Sequence, residues 1–237
     1  MKKFILGTAM ALVMSTAAHA ETVGVSMAKF DDNFLTVLRN GMTDYAKTLS
    51  GVTLQVEDAQ NDVSKQQSQI QNFIASKVDA IIVNPVDTDA TTAMSKLAAD
   101  AGIPLVYVNR QPVNVDTLPE KQAFVASNEQ ESGTLETKEI CRILGGKGKA
   151  VVIMGELSNQ AARMRTQDVH DVIKTDECKG LEIVEEQTAN WDRTQGADLM
   201  TNWLSSGIEF DAVISNNDEM AIGAIQALKA AGKDMTK

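Results

Sequence analysis

The sequence is poor in the residues that usually carry catalysis or metal binding. Its 237 residues include two cysteines, two histidines and two tryptophans, and aromatic residues make up 4% of the chain. No G-x-S-x-G, C-x-x-C or H-E-x-x-H motif is present. His170 lies in a predicted helix without a nearby cysteine or histidine, so no metal site is predicted. The glycine-rich segment from Gly145 to Lys149 lacks the spacing of a phosphate-binding loop. Taken together, these features predict neither an enzyme nor a cofactor.

Basic residues are also scarce, with 22 Lys and Arg against 32 Asp and Glu and a formal net charge of -10. Because nucleic-acid binding requires cations that neutralise phosphates, this balance argues against a nucleic-acid partner. No helix-turn-helix segment is evident either.

Long apolar runs are absent apart from one at the N-terminus. Lys2 and Lys3 precede an apolar run from Phe4 to Val13, and Ala18-His19-Ala20 is typical of a signal cleavage site. The run is shorter than the roughly 20 residues that span a bilayer, which argues against a retained anchor. We therefore predict that residues 1–20 are an export signal, whose removal would make the charge two units more negative.

The two cysteines, Cys141 and Cys178, leave two alternatives open. An oxidising compartment, which the export signal predicts, permits a disulfide between them. Two separate thiols remain the other possibility, because the sequence does not give the distance between them.

Segments of strand and helix character alternate along the rest of the chain. Short runs such as Ala80 to Val83 are typical of buried strands, whereas Asn33 to Leu49 places its apolar residues on one helical face. Strands separated by helices pair in parallel through crossover connections. The pattern therefore predicts an α/β protein with two doubly wound parallel-sheet lobes joined by a hinge.

One connection interrupts this alternation. Residues 111–123 contain Pro112, Pro119 and many polar side chains, and so long a connection suggests a crossing between domains. The predicted lobes are residues 21–110 and 124–237, with residues 111–123 as the hinge crossing.

Hydrogen-bonding side chains recur where the predicted strands end. Ligands of open α/β sheets bind in the crevice beyond the carboxyl ends of the strands. Carboxylates, amides and guanidinium groups can bond neighbouring hydroxyls of a carbohydrate or polyol. The pattern therefore predicts a receptor for a small polar molecule. The candidates are Phe30, Asp31, Asp32, Asn33, Phe34, Asn84, Asn109 and Arg110 in the first lobe, and Glu156, Arg163, Arg165, Trp191, Asp192, Arg193, Asn216, Asn217 and Asp218 in the second.

Each candidate also has a purely structural interpretation, so the recurrence at successive strand ends is the stronger argument. The structural alternatives are helix capping for Asp31, Asp32 and Asn33, core packing for Phe34 and Trp191, a turn for Asn84, solvent exposure for Arg110 and a helix-dipole role for Asp218 and Glu219.

Eight short segments of the chain form a recognisable set. They are Val23–Ser26, Asn33–Phe34, Ile82–Asp87, Val108–Gln111, Ala126–Asn128, Ala161–Arg165, Trp191–Arg193 and Asn216–Ala224. Together these segments resemble the ribose-type (type I) periplasmic sugar-binding proteins of ABC importers. The resemblance extends over essentially the whole chain after the N-terminal signal, and within the family it is closest to the inositol and rhizopine receptors.

This resemblance implies a periplasmic, monomeric receptor that binds a sugar or cyclic polyol between its lobes and delivers it to an inner-membrane ABC permease. Inositol or a rhizopine-like inosamine is the expected ligand, with its ring between Phe34 and Trp191. Ser127 and Leu157 fall at further lining positions. The implied ligand contacts are Asp32, Phe34, Asn84, Asn109, Arg110, Arg165, Trp191 and Asn217.

Two departures from the family pattern matter. Asp31-Asp32 stands where ribose receptors have asparagine, and Trp191 replaces a phenylalanine, which favours a larger six-membered ring that can carry an amine. The sequence also stops at Lys237, where family members continue with a further strand and two more crossings. We therefore expect a C-terminally truncated chain with weak ligand retention. The alternative functions are a receptor for ribose or another monosaccharide and the ligand-sensing core of a LacI-type transcriptional regulator.

Overall fold

The computed structural model describes residues 20–233 and residue 235. The predicted export signal, apart from Ala20, lies outside the described residues. Across the part of the chain that is described, no helix has both the length and the apolar character needed to cross a membrane.

Strands and helices alternate through the described residues, as the sequence pattern predicts. The strands are β1 Glu21–Met27, β2 Val52–Asp58, β3 Ala80–Val83, β4 Leu105–Val108, β5 Gln122–Val125, β6 Lys147–Met154, β7 Gly180–Thr188 and β8 Ala212–Ser215. The helices are α1 Asn33–Thr48, α2 Val63–Ala75, α3 Thr91–Asp100, α4 Glu129–Ile143, α5 Gln160–Val172, α6 Arg193–Ser205 and α7 Asp218–Ala230, with short 3-10 helices at Thr88–Ala90 and Val115–Thr117.

The strands form two parallel sheets, one in each lobe. The first has the order β2-β1-β3-β4-β5 and the second the order β7-β6-β8. All neighbouring strands run in the same direction. The predicted α/β class with two parallel-sheet lobes is thereby confirmed. Because parallel strands share one carboxyl edge, the polar residues that follow them gather on one side of each sheet.

Each lobe has its own apolar core. In the first lobe, Phe73 of α2 and Met94 of α3 are fully buried together with Leu105 of β4. In the second lobe, Met200 of α6 and Met220 of α7 lie in one buried cluster with other side chains of β6, α5, α6 and α7. These cores hold the strand ends, and therefore the residues that follow them, in fixed positions.

The predicted hinge position needs a correction. β5 pairs in parallel with β4, with Leu105 opposite Gln122 and Val108 opposite Val125. Residues 111–121 therefore connect two adjacent strands of the first sheet instead of joining the lobes, and the strand expected to open the second lobe belongs to the first. The chain passes to the second lobe at residues 126–128, because α4 packs against α5.

The two cysteines form a disulfide, which decides between the alternatives that the sequence left open. Cys141 and Cys178 are joined with their Cα atoms 5.7 Å apart. The bridge ties the end of α4 to the segment that precedes β7, and both cysteines lie in a small buried cluster with Val172 and Leu181.

Candidate functional site

A cavity of about 190 Å³ lies where the carboxyl ends of the two sheets face each other. This volume is below the range of about 300–1,000 Å³ that is typical of drug-sized ligands, and it suits a single small ring. Both lobes contribute side chains. The lining residues are Asp32, Asn33, Phe34, Leu35, Asn109, Arg110, Ser127, Ala161, Arg165, Trp191, Asn217, Asp218 and Glu219.

Seven of the eight predicted ligand contacts line this cavity, and Asn84 is the exception. Asn84 is fully buried, and its Nδ2 donates to Asn109 Oδ1 at 3.1 Å and to Val108 O at 3.3 Å. Its Oδ1 accepts from the backbone N–H of Ala28. The expected direct contact of Asn84 is therefore corrected: the residue holds Asn109 in place from behind. Ser127 also lines the cavity as expected, whereas Leu157 does not.

Asp32 caps the N-terminus of α1 and also lines the cavity. Its Oδ1 accepts from the backbone N–H of Leu35 at 2.8 Å, as a helix N-cap does. The side chain is nevertheless buried in the cavity wall. Helix capping and a place in the cavity, which the sequence presented as alternatives, are thus compatible at this residue.

The two aromatic residues predicted to cover the ring differ in their burial. Phe34, one residue into α1, is 57% exposed and lies at the cavity rim, so it is not a core residue. Trp191 is 6% exposed and belongs both to the second lobe's core and to the cavity wall. Its indole Nε1 donates to Asn159 Oδ1 at 2.9 Å, which fixes the orientation of the ring.

Arg110 is a buried cation in the first lobe's wall. Its Nη1 donates to the backbone carbonyls of Pro85 at 2.8 Å and Val86 at 3.0 Å. Burial lowers the pKa of the guanidinium to about 10, and the nearby Glu156 and Asp32 carboxylates oppose this shift. Arg110 is therefore still charged at neutral pH, and it is held from one side by main-chain oxygens.

Arg165 on α5 is the corresponding cation of the second lobe. Its Nε donates to Glu129 Oε2 at 2.5 Å, and its Nη1 donates to the carbonyl of Asn216. The guanidinium carbon lies 6.0 Å from the centroid of the Trp191 ring. Asn217 lies beside it in the wall, and its Oδ1 caps α7 through the backbone N–H of Met220. The second lobe therefore presents a cation, an amide and an aromatic face together.

Glu219 is a buried carboxylate of the wall whose contacts the sequence did not reveal. It pairs with Arg193 through bonds of 2.9 and 3.1 Å. Its Oε1 also accepts from the backbone N–H of Asn33 at 3.1 Å, although Asn33 lies in the other lobe. The sequence pattern linked Glu219 only to the N-terminus of its own helix, whereas its carboxylate also lies at the N-terminus of α1, which favours negative charge.

Direct contacts join the lobes around the cavity. Thr88 Oγ1 donates to the carbonyl of Ser158 at 2.7 Å, and Asn159 Nδ2 donates to the carbonyl of Val86 at 3.0 Å. The backbone N–H of Asn33 in α1 also donates to the carboxylate of Glu219 in the second lobe. Because these bonds connect residues of different lobes, the lobes are in a closed arrangement.

A cluster of three carboxylates lies behind Arg165, between α4 and α5. Among the described residues, Glu129, Glu136 and Asp168 each have one buried oxygen without a hydrogen-bond partner. Burial raises the pKa of Glu136 to about 8, with Arg165 opposing and Asp168 adding to the shift. Burial also raises the pKa of Asp168 to about 6, with smaller contributions from Asp171 and Glu129.

This cluster predicts a stability that falls as the pH rises. Between its ordinary pKa of 4.5 and about 8, Glu136 keeps a proton in the folded state that it loses on unfolding. The folded state therefore loses stability across that interval, at a slope of up to about 1.4 kcal/mol per pH unit. We expect Glu136→Gln to match the parent at pH 5 and to melt several degrees higher at pH 8.5 in calorimetric scans.

Glu139→Gln is the matched control, because Glu139 lies on the same helix and pairs with Arg142 in solvent. Its pKa is lowered by this pairing, so it does not titrate between pH 5 and 8.5. Parallel melting curves for Glu136→Gln and the parent across that interval would contradict the assignment.

Comparisons with known proteins identify the family of the chain. Residues 23–237 match the family described as "Periplasmic binding protein domain". A Rhizobium meliloti protein described as "Putative rhizopine-binding protein" is 82% identical over 235 residues, which are 99% of this chain and 76% of that protein.

Solved structures give the same result. An ABC transporter solute-binding protein from Bacillus halodurans with bound myo-inositol superposes with a TM-score of 0.84 at 41% identity, over 92% of this chain and 74% of that one. The myo-inositol-binding protein of Caulobacter, bound to myo-inositol, superposes with a TM-score of 0.84 at 28% identity, over 94% and 75% of the two chains.

Proposed function

This chain belongs to the periplasmic binding protein family, and we propose that it binds a cyclic polyol, an inositol or an inosamine, in the cavity between its lobes. The observation that carries the proposal is the composition of one small cavity. It combines two arginines, three amides, three carboxylates and two aromatic rings, and both lobes contribute. It is a binding protein and not an enzyme, as its relatives are solute-binding proteins.

The polar groups suit vicinal hydroxyls. Arg110 and Arg165 each have guanidinium N–H groups beyond those bonded to main-chain or carboxylate oxygens, and a planar fork can donate to two adjacent oxygens. Asn109 and Asn217 add amides that can donate and accept. Phe34 and Trp191 provide apolar surfaces for the C–H faces of a ring. These features favour a ring with hydroxyls around its whole edge.

The carboxylate of Asp32 extends the proposal to an amine. Among the described residues, the carboxylate of Asp32 accepts a hydrogen bond only at Oδ1, from the backbone N–H of Leu35. Its Oδ2 is therefore available to a ligand. A carboxylate accepts from two hydroxyls or pairs with an ammonium group in a charge-assisted bond. An inosamine would use Asp32 in the second way, and inositol in the first.

The proposed mechanism is ligand-stabilised closure. A ligand that contacts Arg110 in one lobe and Trp191 in the other binds the closed arrangement better than an open one, so it shifts the population towards closure. The passage at residues 126–128 would act as the hinge. We further propose that the protein works as a monomer in the periplasm and presents its closed form to an ABC permease. The family description supports the location, and the name of a solved relative, an ABC transporter solute-binding protein, supports the partner.

Titration calorimetry of the purified protein tests the ligand class. We expect weak binding overall, with myo-inositol and an inosamine bound at least about tenfold more tightly than ribose. A ring with six substituents can engage both arginines and Asp32 together, whereas a pentose presents fewer hydroxyls. Tighter binding of ribose would refute the proposal for a six-membered cyclic polyol.

A pair of variants on α1 provides the internal control. Phe34 and Val37 are both exposed apolar residues, at 57% and 70%, but only Phe34 lines the cavity. Phe34→Ala should weaken polyol binding, whereas Val37→Ala should leave it unchanged.

A further inference from the structure

Asn159 occupies a helix N-cap position without capping the helix. It immediately precedes α5, and its side chain makes no hydrogen bond to the first-turn N–H groups. Asparagine and aspartate at this position normally stabilise the helix through such a bond. Five other α-helices of the described chain are capped in this way, by Asp32, Asp62, Asn128, Asp192 and Asn217.

The amide of Asn159 is used between the lobes instead. The residue is fully buried, and its Nδ2 donates to the carbonyl of Val86 in the first lobe at 3.0 Å. Its Oδ1 accepts from Trp191 Nε1 at 2.9 Å. One amide therefore joins the aromatic wall of the second lobe to the main chain of the first.

The carbonyl of Val86 is shared with the other side of the cavity. Arg110 Nη1 donates to the same oxygen at 3.0 Å. Arg110 and Trp191, which line opposite walls, are thus linked through one carbonyl and one amide. Thr88 bonds to the carbonyl of Ser158, the residue before Asn159, and fixes the same segment to the first lobe.

We propose that Asn159 is a positioning residue that couples the orientation of the Trp191 indole to closure of the lobes. This inference rests on the proposed function, because it assigns a role within the same cavity. When the lobes separate, Nδ2 loses the carbonyl of Val86 and keeps only Ser158 Oγ, 3.2 Å away in its own lobe. The amide that accepts from Trp191 Nε1 is then fixed by fewer hydrogen bonds. The indole ring is therefore held more firmly in its binding orientation when the lobes are closed.

Asn159→Asp tests this role with little risk to the fold. Aspartate has the same shape, caps helices as well as asparagine and can still accept from Trp191. It cannot donate to Val86 O, and it places an anionic oxygen against that carbonyl. We expect affinity for myo-inositol, measured by calorimetry, to fall by about 10- to 100-fold.

Asp62→Asn is the matched control, because it makes the reverse exchange at an exposed residue that caps α2 through the backbone N–H of Lys65 and lies outside both the cavity and the hinge. Its replacement should change affinity by less than about twofold, as expected for a surface substitution that keeps the cap.

Tryptophan emission separates positioning from general stability. In a Trp203→Phe background, which removes a tryptophan buried in the second lobe's core, Trp191 is the only tryptophan, and excitation at the red edge of absorption selects its emission. Saturating myo-inositol should shift the emission of the parent to shorter wavelength. With Asn159→Asp, the shift at saturation should be clearly smaller, because the ring is no longer fixed by closure.

The outcomes are distinct. Equal affinity and equal emission in Asn159→Asp and the parent overturn the inference, and so does an equal loss in Asp62→Asn. If the parent binds no polyol, the proposed function fails, and Asn159 is then judged on small-angle scattering of the ligand-free proteins. A larger radius of gyration for Asn159→Asp supports the coupling, and identical scattering curves overturn it.

Discussion

Arg110→Met is expected to weaken polyol binding by about 100-fold or more. The guanidinium donates to the carbonyls of Pro85 and Val86, and the remainder of the group lines the cavity. Methionine has a similar length but removes both the cation and every donor. Loss of a charged hydrogen-bonding group costs about 3 kcal/mol, which corresponds to about two orders of magnitude in Kd. Titration calorimetry with myo-inositol measures the effect.

Arg110→Lys distinguishes charge from geometry. Lysine keeps a cation near Asp32 and Glu156, but a single ammonium group cannot hold two carbonyls and also present a planar fork to the ligand. We expect an affinity between those of the methionine variant and the parent. Affinity equal to that of the parent would show that only the charge matters.

Two measurements make the Arg110 result specific. Arg142→Met is the control, because Arg142 is an exposed cation on α4 that is paired with Glu139 and lies outside the cavity. It should bind as the parent does. Thermal melting of each variant separates lost binding from lost folding, since Arg110→Met also leaves two buried carbonyls without a donor. Binding by Arg110→Met at parental strength would remove Arg110 from the site.

The sequence predicted the architecture well because its signals are local. The alternation of apolar strands with one-faced helices needs only neighbouring residues, and the structure confirms it. β5 was assigned to the wrong lobe for the opposite reason. A strand of four residues carries no information about its partner, and only its pairing with β4 places it in the first sheet.

The candidate site was also predicted only as far as local signals allow. The position of Asp32, Arg110 and Trp191 after strand ends correctly predicted that they line the cavity. Position does not reveal the direction of a side chain, however, so Asn84 was expected in the cavity although it lies behind the wall and bonds to Asn109. Asn159 carried no signal, because its partner Val86 is 73 positions away and in the other lobe.

Gly155→Ala is expected to disturb the aromatic wall directly. Gly155 follows β6, and a Cβ atom added there would lie 2.2–2.3 Å from three atoms of the Trp191 ring. The backbone cannot readily retreat, because the N–H of Gly155 donates to Asn216 Oδ1 at 3.0 Å. The ring itself must move, and its other side is the close-packed core of the second lobe. The open direction is into the cavity.

The displaced ring should affect both binding and folding. It would occupy ligand space and pull Nε1 away from Asn159, so we expect polyol affinity to fall by about 100-fold or more. Overpacking of this kind also lowers the free energy of unfolding by about 1–3 kcal/mol. Calorimetric titration gives the first quantity and denaturant unfolding the second.

Gly41→Ala is the control for the glycine substitution itself. No atom lies within 4 Å of a Cβ added at Gly41, which is in the middle of α1. Alanine there should leave binding unchanged and stabilise the helix by about 0.5–1 kcal/mol.

Trp191→Phe in the Gly155→Ala background then tests the cause. A smaller ring relieves the clash with the new methyl group, so the double variant should recover part of the lost stability and bind more tightly than Gly155→Ala alone. This recovery is expected even though Trp191→Phe alone removes the bond to Asn159 and should weaken binding in the parent. Additive losses in the double variant would mean that the two residues act independently, and Gly155 would then not set the position of the ring.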